Sequence, residues 1–228
     1  MFIADDMILN PFCDESNILS MFHLENKLVG TTAADMLNDT NRFAWNHARF
    51  SPKPFFSKAT NWKDNLPPYE KVMKLFRDFY GRPYPEEYGD SFYSPIGKET
   101  PEELLAAKND FLELNHGSQI PYPMAKGYSD ILFVKKEIMR PLFHLMGIFS
   151  AMNLFVEIAI PTSIVLTVPR EKVTLFLKLK DRTFHCMWSD ADKEGFAKKF
   201  EKKYCNLINS WDPDCLFIHP VKLSEWEV

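Results

Sequence analysis

Residues 1–11 read Met1-Phe2-Ile3-Ala4-Asp5-Asp6-Met7-Ile8-Leu9-Asn10-Pro11. A short apolar run stops at two adjacent carboxylates, and apolar residues resume at once. The pattern predicts a buried strand with acidic side chains at its C-terminal end, where open α/β sheets bind ligands. Hard cations such as Mg²⁺ or Mn²⁺ are commonly held by one or two carboxylates plus substrate phosphates. Asp5 and Asp6 are therefore candidate seats for a metal–diphosphate. The same pair also suits a plain strand-to-loop turn whose aspartates cap the next segment. The dipeptide alone does not separate the two readings.

Outward from this strand, Asp14 is placed to cap a short helix over residues 16–22. Residues 30–66 carry Asn, Asp, Thr, Pro and aromatics without a clean period. Trp45, Phe50, Phe55, Phe56 and Trp62 predict that this long loop packs on the body rather than floats. Pro67-Pro68 introduces a helix with Val72, Leu75, Phe76 and Phe79 on one face, and Gly81-Arg82-Pro83 stops it. Thr100-Pro101-Glu102-Glu103 is a capping-box helix start, and that helix runs to about Leu114. Pro121-Tyr122-Pro123 is an extended connector. Ile131-Leu132-Phe133-Val134 reads as a buried strand followed by a helix from Lys136. A buried helix, then Pro161, then a strand over residues 163–168 is expected next. Asp190 is expected to cap a last helix with Phe196, Phe200, Leu207 and Ile208 inward. Cys215-Leu216-Phe217-Ile218 forms a final strand. Strands alternating with helices give an α/β class, a mixed sheet flanked by helices, in a single domain over residues 1–228.

Composition narrows the function classes. Hydrophobic residues make up 46% and charged residues 25%, ordinary globular values, while 20 Phe and 16 Pro point to an aromatic core with structured loops. A net charge of −4 supplies no basic footprint for nucleic acid. Cys13, Cys186, Cys205 and Cys215 lack metal or redox spacing, which fits reduced thiols and a cytoplasmic setting. The N-terminus has no signal-peptide pattern. Residues 142–168 contain only His144 and Glu157 as ionisable groups, with Lys135, Lys136 and Arg140 upstream. That stretch is long enough to span a bilayer. Glu157 near its middle costs at least ~2.5 kcal/mol on insertion scales, so a buried core is the expected outcome. No Gly-x-Ser-x-Gly elbow or phosphate-binding Gly-x₄-Gly-Lys loop is present, which weakens hydrolase and nucleoside-triphosphatase readings.

Phe2-Ile3-Ala4-Asp5-Asp6-Met7-Ile8-Leu9-Asn10-Pro11 resembles the Asp-x-Asp segment of metal-dependent GT-A-fold glycosyltransferases. Gly127-Tyr128-Ser129-Asp130, Phe155-Val156-Glu157-Ile158-Ala159-Ile160-Pro161 and Phe217-Ile218-His219-Pro220-Val221-Lys222 follow in the order expected of that fold's second half. The first Asp of the ideal motif is Ala4 here, so the match is x-Asp-Asp. The chain opens at the motif strand itself, so the resemblance covers the C-terminal part of the fold and lacks its upstream nucleotide-binding half. It implies transfer of a sugar from a nucleotide-diphosphate donor to a glycan or other hydroxyl acceptor, with Mn²⁺ or Mg²⁺. The alternative is an inactive shortened relative acting as a binding or scaffold protein. An incomplete sheet would also favour self-association.

The resemblance assigns roles to single residues. Asp6 is the direct metal ligand, Asp5 its supporting acid, and His219 a late ligand, imidazole being more natural for Mn²⁺ than for Mg²⁺. A hydrogen-bonded structural histidine is the competing reading of His219. Glu157 is the candidate general base. Burial favours a carboxyl group poised to take a proton, although a structural ion pair would also explain it. Gly127 permits close backbone approach, and Asp130 is placed to bond donor-sugar hydroxyls or to close an ordinary turn. Lys222 is a point cation for the diphosphate, or an exposed lysine.

Overall fold

A computed structural model describes residues 1–32, 66–81, 102, 125, 127–151, 154 and 156–227. The expected loop aromatics at residues 45–62, the capping-box helix apart from Glu102, and the connector at residues 121–123 lie outside these residues. Within them the chain is mixed α/β, with two sheets flanked by helices.

The opening segment contributes to both sheets. Strand β1 (Phe2–Ile3) pairs antiparallel with β4 (Ile131–Val134), which pairs antiparallel with β3 (Val29–Thr31). Strand β3 is joined in parallel by β5 (Val173–Leu175). After the turn at Asp5 and Asp6, β2 (Ile8–Leu9) enters a second sheet, antiparallel to β7 (Cys215–His219). Strand β6 (Thr183–Cys186) flanks β7 in parallel. The acidic pair thus sits where the chain crosses from one sheet to the other. Strand β1 is not the buried strand expected from its composition. It is an edge strand with Phe2 51% and Ile3 45% exposed.

Helix α1 (Ile18–Met21) is shorter than expected, and the Asp14 carboxylate collects the amides of Ser16 and Asn17 ahead of it. Helix α2 (Tyr69–Tyr80) buries Val72, Phe76 and Phe79 and ends on Gly81 at φ 71°, a conformation that favours glycine. Helix α3 (Lys136–Ala151) packs against α4 (Val156–Thr167). Residues 163–168 are therefore not a strand: 163–167 continue α4 through Pro161. The helix is apolar on all sides and buried from Ile158 to Val165, so its sequence shows no helical period. Its hydroxyls bond back along the helix, Ser163 Oγ to the Ala159 carbonyl at 2.7 Å and Thr167 Oγ1 to the Ser163 carbonyl at 2.6 Å. No helix among the described residues is long and apolar enough to cross a membrane.

Helix α5 (Asp190–Lys199) is capped by Ser189 rather than Asp190. Ser189 Oγ accepts the Asp192 amide at 3.1 Å, and the Asp192 carboxylate accepts the Ser189 amide. The sequence carries Asp one residue late, where it serves the helix dipole. A separate helix α6 (Tyr204–Asn209) carries Leu207.

Phenylalanine builds the core. Phe22, Phe133 and Phe176 meet with ring centroids 4.9–5.7 Å apart, in a cluster that includes Ile131 of one sheet and Leu216 and Phe217 of the other. Each fully buried Phe contributes ~1.5–3 kcal/mol. This packing explains Gly30: a Cβ there would stand 2.5 Å from both Leu24 Cδ2 and Phe176 Cζ. A second cluster joins α2, α3 and α4 to the four-stranded sheet through Val72, Phe76, Leu142, Phe149, Ile158 and Val173.

Candidate functional site

Three acidic or imidazole side chains from distant parts of the sequence meet at the crossover between the sheets. Asp6 lies in the turn between β1 and β2, Asp130 immediately precedes β4, and His219 ends β7. His219 Nε2 stands 3.2 Å from Asp6 Oδ1 and 3.8 Å from Asp130 Oδ1. The imidazole side chain is only 12% exposed, and its Nδ1 is buried with no hydrogen-bond partner among the described residues.

The backbone holds each member. The Ala4 amide bonds the Asp130 carbonyl at 2.7 Å, and the Val221 amide bonds the Asp6 carbonyl at 2.6 Å, so the acidic turn is clamped between β4 and the end of β7. Buried Thr32 fixes the approach to Asp130: its Oγ1 donates to the Tyr128 carbonyl at 3.0 Å and accepts the Ile131 amide at 3.4 Å. Buried Asn10 closes β2 on β7. Its Nδ2 donates to the Pro213 and Cys215 carbonyls, both at 2.9 Å, and its Oδ1 accepts the Phe12 amide. The Met187 amide bonds the His219 carbonyl at 2.9 Å, and His219-Pro220 is a cis peptide.

Burial, reinforced by the Asp6 charge, raises the Asp130 carboxyl above its ordinary range, while His219 opposes the shift. Burial beside Asp130 and Cys215 also pushes the Cys186 thiol up to about 11. Among the described residues no group of three or more His, Cys, Asp or Glu could by itself hold a metal ion.

The other expected residues divide by location. Asp5 is exposed one residue before Asp6. Lys222 lines a cavity of about 320 Å³ together with Asp6, Lys193, Lys202 and Trp226. Gly127 is buried, and its amide donates to the Glu157 carbonyl at 2.8 Å. That carbonyl is the one Pro161, four residues on and lacking an N–H, cannot bond within α4. The proline therefore releases an acceptor that anchors the strip leading to Asp130. Nearby, Thr162 Oγ1 bonds both the amide and the carbonyl of Ala125. Glu157 itself lies in the first turn of α4 with Oε2 enclosed.

Sequence reasoning missed Asn10, Thr32, Tyr128 and Trp188. Tyr128 and Trp188 stack with centroids 4.7 Å apart, and Trp188 meets the His219 ring edge-on at 6.3 Å. No family model, curated protein or solved structure matches the chain.

Proposed function

We propose that this chain is a metal-dependent glycosyltransferase of GT-A type, acting on a nucleotide-diphosphate sugar. The observation that supports the reading is the meeting of Asp6, Asp130 and His219 at the sheet crossover, next to a cavity lined by Asp6 and Lys222. These residues fit a divalent ion that brings oxygens of its own. The 3.2 Å between Asp6 and His219 is the spacing of a hydrogen-bonded His–Asp pair. Donors on adjacent corners of an octahedral Mn²⁺- or Mg²⁺-sized shell also lie roughly 3 Å apart, so the pair would take an ion in place of its shared proton with little movement. The second acid, Asp130, stands back, which leaves coordination corners for phosphate oxygens. A nitrogen donor beside a carboxylate favours Mn²⁺.

When bound, the ion would neutralise charge on the diphosphate leaving group. Asp6 and His219 would hold it. Lys222 adds a positive charge at the cavity wall, and Asp130 accepts hydrogen bonds from hydroxyls of the donor sugar. In the transfer itself an acceptor oxygen attacks the anomeric carbon and the bond from that carbon to the diphosphate oxygen breaks. The diphosphate leaves with the bonding pair, and Glu157 takes the acceptor's proton. That sequence inverts the anomeric centre.

Isothermal titration of UDP and GDP, each with and without Mn²⁺, tests the reading. Binding of one nucleotide should require the metal. Asp6→Ala and His219→Ala should each weaken it by about 100-fold or more, beyond what loss of an outer-sphere partner does. Glu157→Gln should leave that binding intact while abolishing transfer, the pattern of a group that acts in the transition state. Metal-independent binding, or none, would sink the assignment. Metal-dependent binding without transfer to any acceptor would favour the inactive-relative reading.

A further inference from the structure

Trp188 breaks the rule that a large aromatic side chain is either buried or incidental. It is 58% exposed, yet its neighbours along the chain are held in place. The preceding amide, Met187, is bonded to the His219 carbonyl, and the following residue, Ser189, is locked in the capping box of α5. One side of the indole stacks on Tyr128 at 4.7 Å with the rings 25° apart, so the exposed area lies on the remaining face and edge. Tyr128 is held in turn by the Thr32 hydroxyl on its carbonyl. A rigid aromatic surface open to solvent is prepared for a ligand rather than for the core.

What adjoins it defines the ligand. The indole borders His219, whose Nε2 faces the carboxylates of Asp6 and Asp130. An apolar ring face next to hydroxyl-accepting carboxylates matches a molecule with the opposite split: a flat set of C–H bonds on one side and hydroxyl donors around its edge. A pyranose ring has that form. A nucleobase offers a stacking face too, but only one or two N–H donors on part of its edge, the rest being carbonyl and ring-nitrogen acceptors, so it matches a carboxylate beside the ring less fully than a rim of hydroxyls does.

We propose that Trp188, backed by Tyr128, is the stacking platform of a pyranose subsite whose hydroxyls are read by Asp130. The inference rests on the sugar-transfer reading above. It adds the surface that selects the sugar, and it makes Trp188 a specificity-determining residue. The cavity lined by Asp6 and Lys222 takes the diphosphate, and the platform takes the ring.

The full chain, labelled with ¹⁵N, is titrated with the methyl glycosides of glucose, galactose, mannose and N-acetylglucosamine and with uridine, while binding of UDP–Mn²⁺, whose paramagnetic ion would erase the nearby indole resonance, is followed by calorimetry. The Trp188 indole N–H resonance is assigned from its loss in Trp188→Phe. At least one glycoside should shift it and receive saturation transfer on the C–H bonds of a single ring face. Trp188→Ala should weaken that glycoside by about tenfold, the scale of one aromatic stacking contact, and Trp188→Phe should restore much of it. UDP–Mn²⁺ affinity should be unchanged in both variants. Competition of the glycoside by a UDP-sugar places the donor ring on the platform, and additive binding with UDP–Mn²⁺ places the acceptor ring there. The inference is overturned if every glycoside leaves the indole unmoved, if Trp188→Ala binds as tightly as the parent, or if uridine moves the indole in their stead. Loss of UDP–Mn²⁺ binding alone, with glycoside contact intact, would remove the nucleotide-sugar reading and leave the platform standing.

Discussion

The sheet crossover and the helical pair α3–α4 are built by opposite rules. In the helical pair α4 is buried from Ile158 to Val165, the Ser163 and Thr167 hydroxyls turn back onto their own helix, and α3 turns its apolar face inward with Phe149 and Leu142 completely enclosed. At the crossover, strands only two residues long bring carboxylates together, leave His219 Nδ1 without a partner among the described residues, and hold Trp188 in solvent. One region lowers the free energy of folding, while the other keeps groups in arrangements that folding alone does not favour. Such sites tend to be where binding and catalysis are placed. The contrast makes stability and ligand binding separable by mutation.

The largest effect should come from breaking the packed region. Phe149→Ala or Phe76→Ala removes a ring that is fully buried and is expected to cost ~3–5 kcal/mol, by transfer and cavity terms together. Urea unfolding would show the midpoint fall with little change in slope. His219→Ala should cost far less stability. Equal losses in the two places would erase the distinction between the regions.

Gly30→Ala ranks next, because it tests the boundary between them. The added methyl would press on Leu24 and on the ring of Phe176, itself fixed against Phe22 and Phe133. Overpacking of this kind typically costs ~1–3 kcal/mol. A neutral result in thermal melts would mean that the Phe layer yields, and that the crossover stands on a softer base than its packing implies.

These contrasts also explain what could be read from the sequence. Helix α2 was legible because Val72, Phe76 and Phe79 repeat with helical period and Pro68 and Gly81 bound them. Strand β4 and the start of α3 were legible as an apolar run with a change of pattern after Val134. Residues 163–168 were not legible. A β-branched run after a proline looks like a strand, and burial on all sides removes the periodicity that would have shown a helix. The division into two sheets was hidden for a related reason: one apolar run interrupted by Asp5-Asp6 gives no sign that β1 and β2 pair with different partners. In the site, Asp6, Asp130 and His219 carried their chemistry in their residue type. Asn10 and Thr32 act through hydrogen bonds to residues about 100 to 200 positions away, and Trp188 depends on exposure, which no local pattern encodes.

A smaller effect of opposite sign is expected at the crossover. The Asp130 carboxyl is raised by burial first and by Asp6 as well, so ionising it disfavours the native state. For a raised carboxyl the native state holds its proton longer than the unfolded chain. Stability therefore falls as pH climbs from the unfolded carboxyl range through the native one. Asp130→Asn removes that loss. With no divalent cation or nucleotide present, it should melt about 1–3 °C above the parent at neutral pH, with the gap closing toward pH 4. The same variant should bind glycosides more weakly. A lower melting temperature at neutral pH would mean that the carboxylate supports the fold, and the separation of stability from binding would fail at this residue.

The smallest expected effect is on thiol chemistry, and it maps how far the crossover's environment reaches. Cys186 ends β6, opposite His219 across the parallel pair, and its thiol is pushed up to about 11 by burial, Asp130 and Cys215. Thiolate is the reactive form. Against a thiol at 9.0, the shift leaves about a hundredfold less thiolate at pH 8. Cys205 lies exposed on α6, whereas Cys13 and Cys215 are raised by burial as well. Iodoacetamide at pH 8, followed by peptide mass analysis, should label Cys205 first and Cys186 far more slowly. In Asp130→Asn the Asp130 charge disappears but the burial remains, so Cys186 labelling should quicken only slightly. A large increase would mean that the carboxylate, not burial, dominates the electrostatics of this corner. Rapid labelling of Cys186 in the parent chain would mean that β6 opens from β7 and that His219 is held far less firmly than the Met187 hydrogen bond implies.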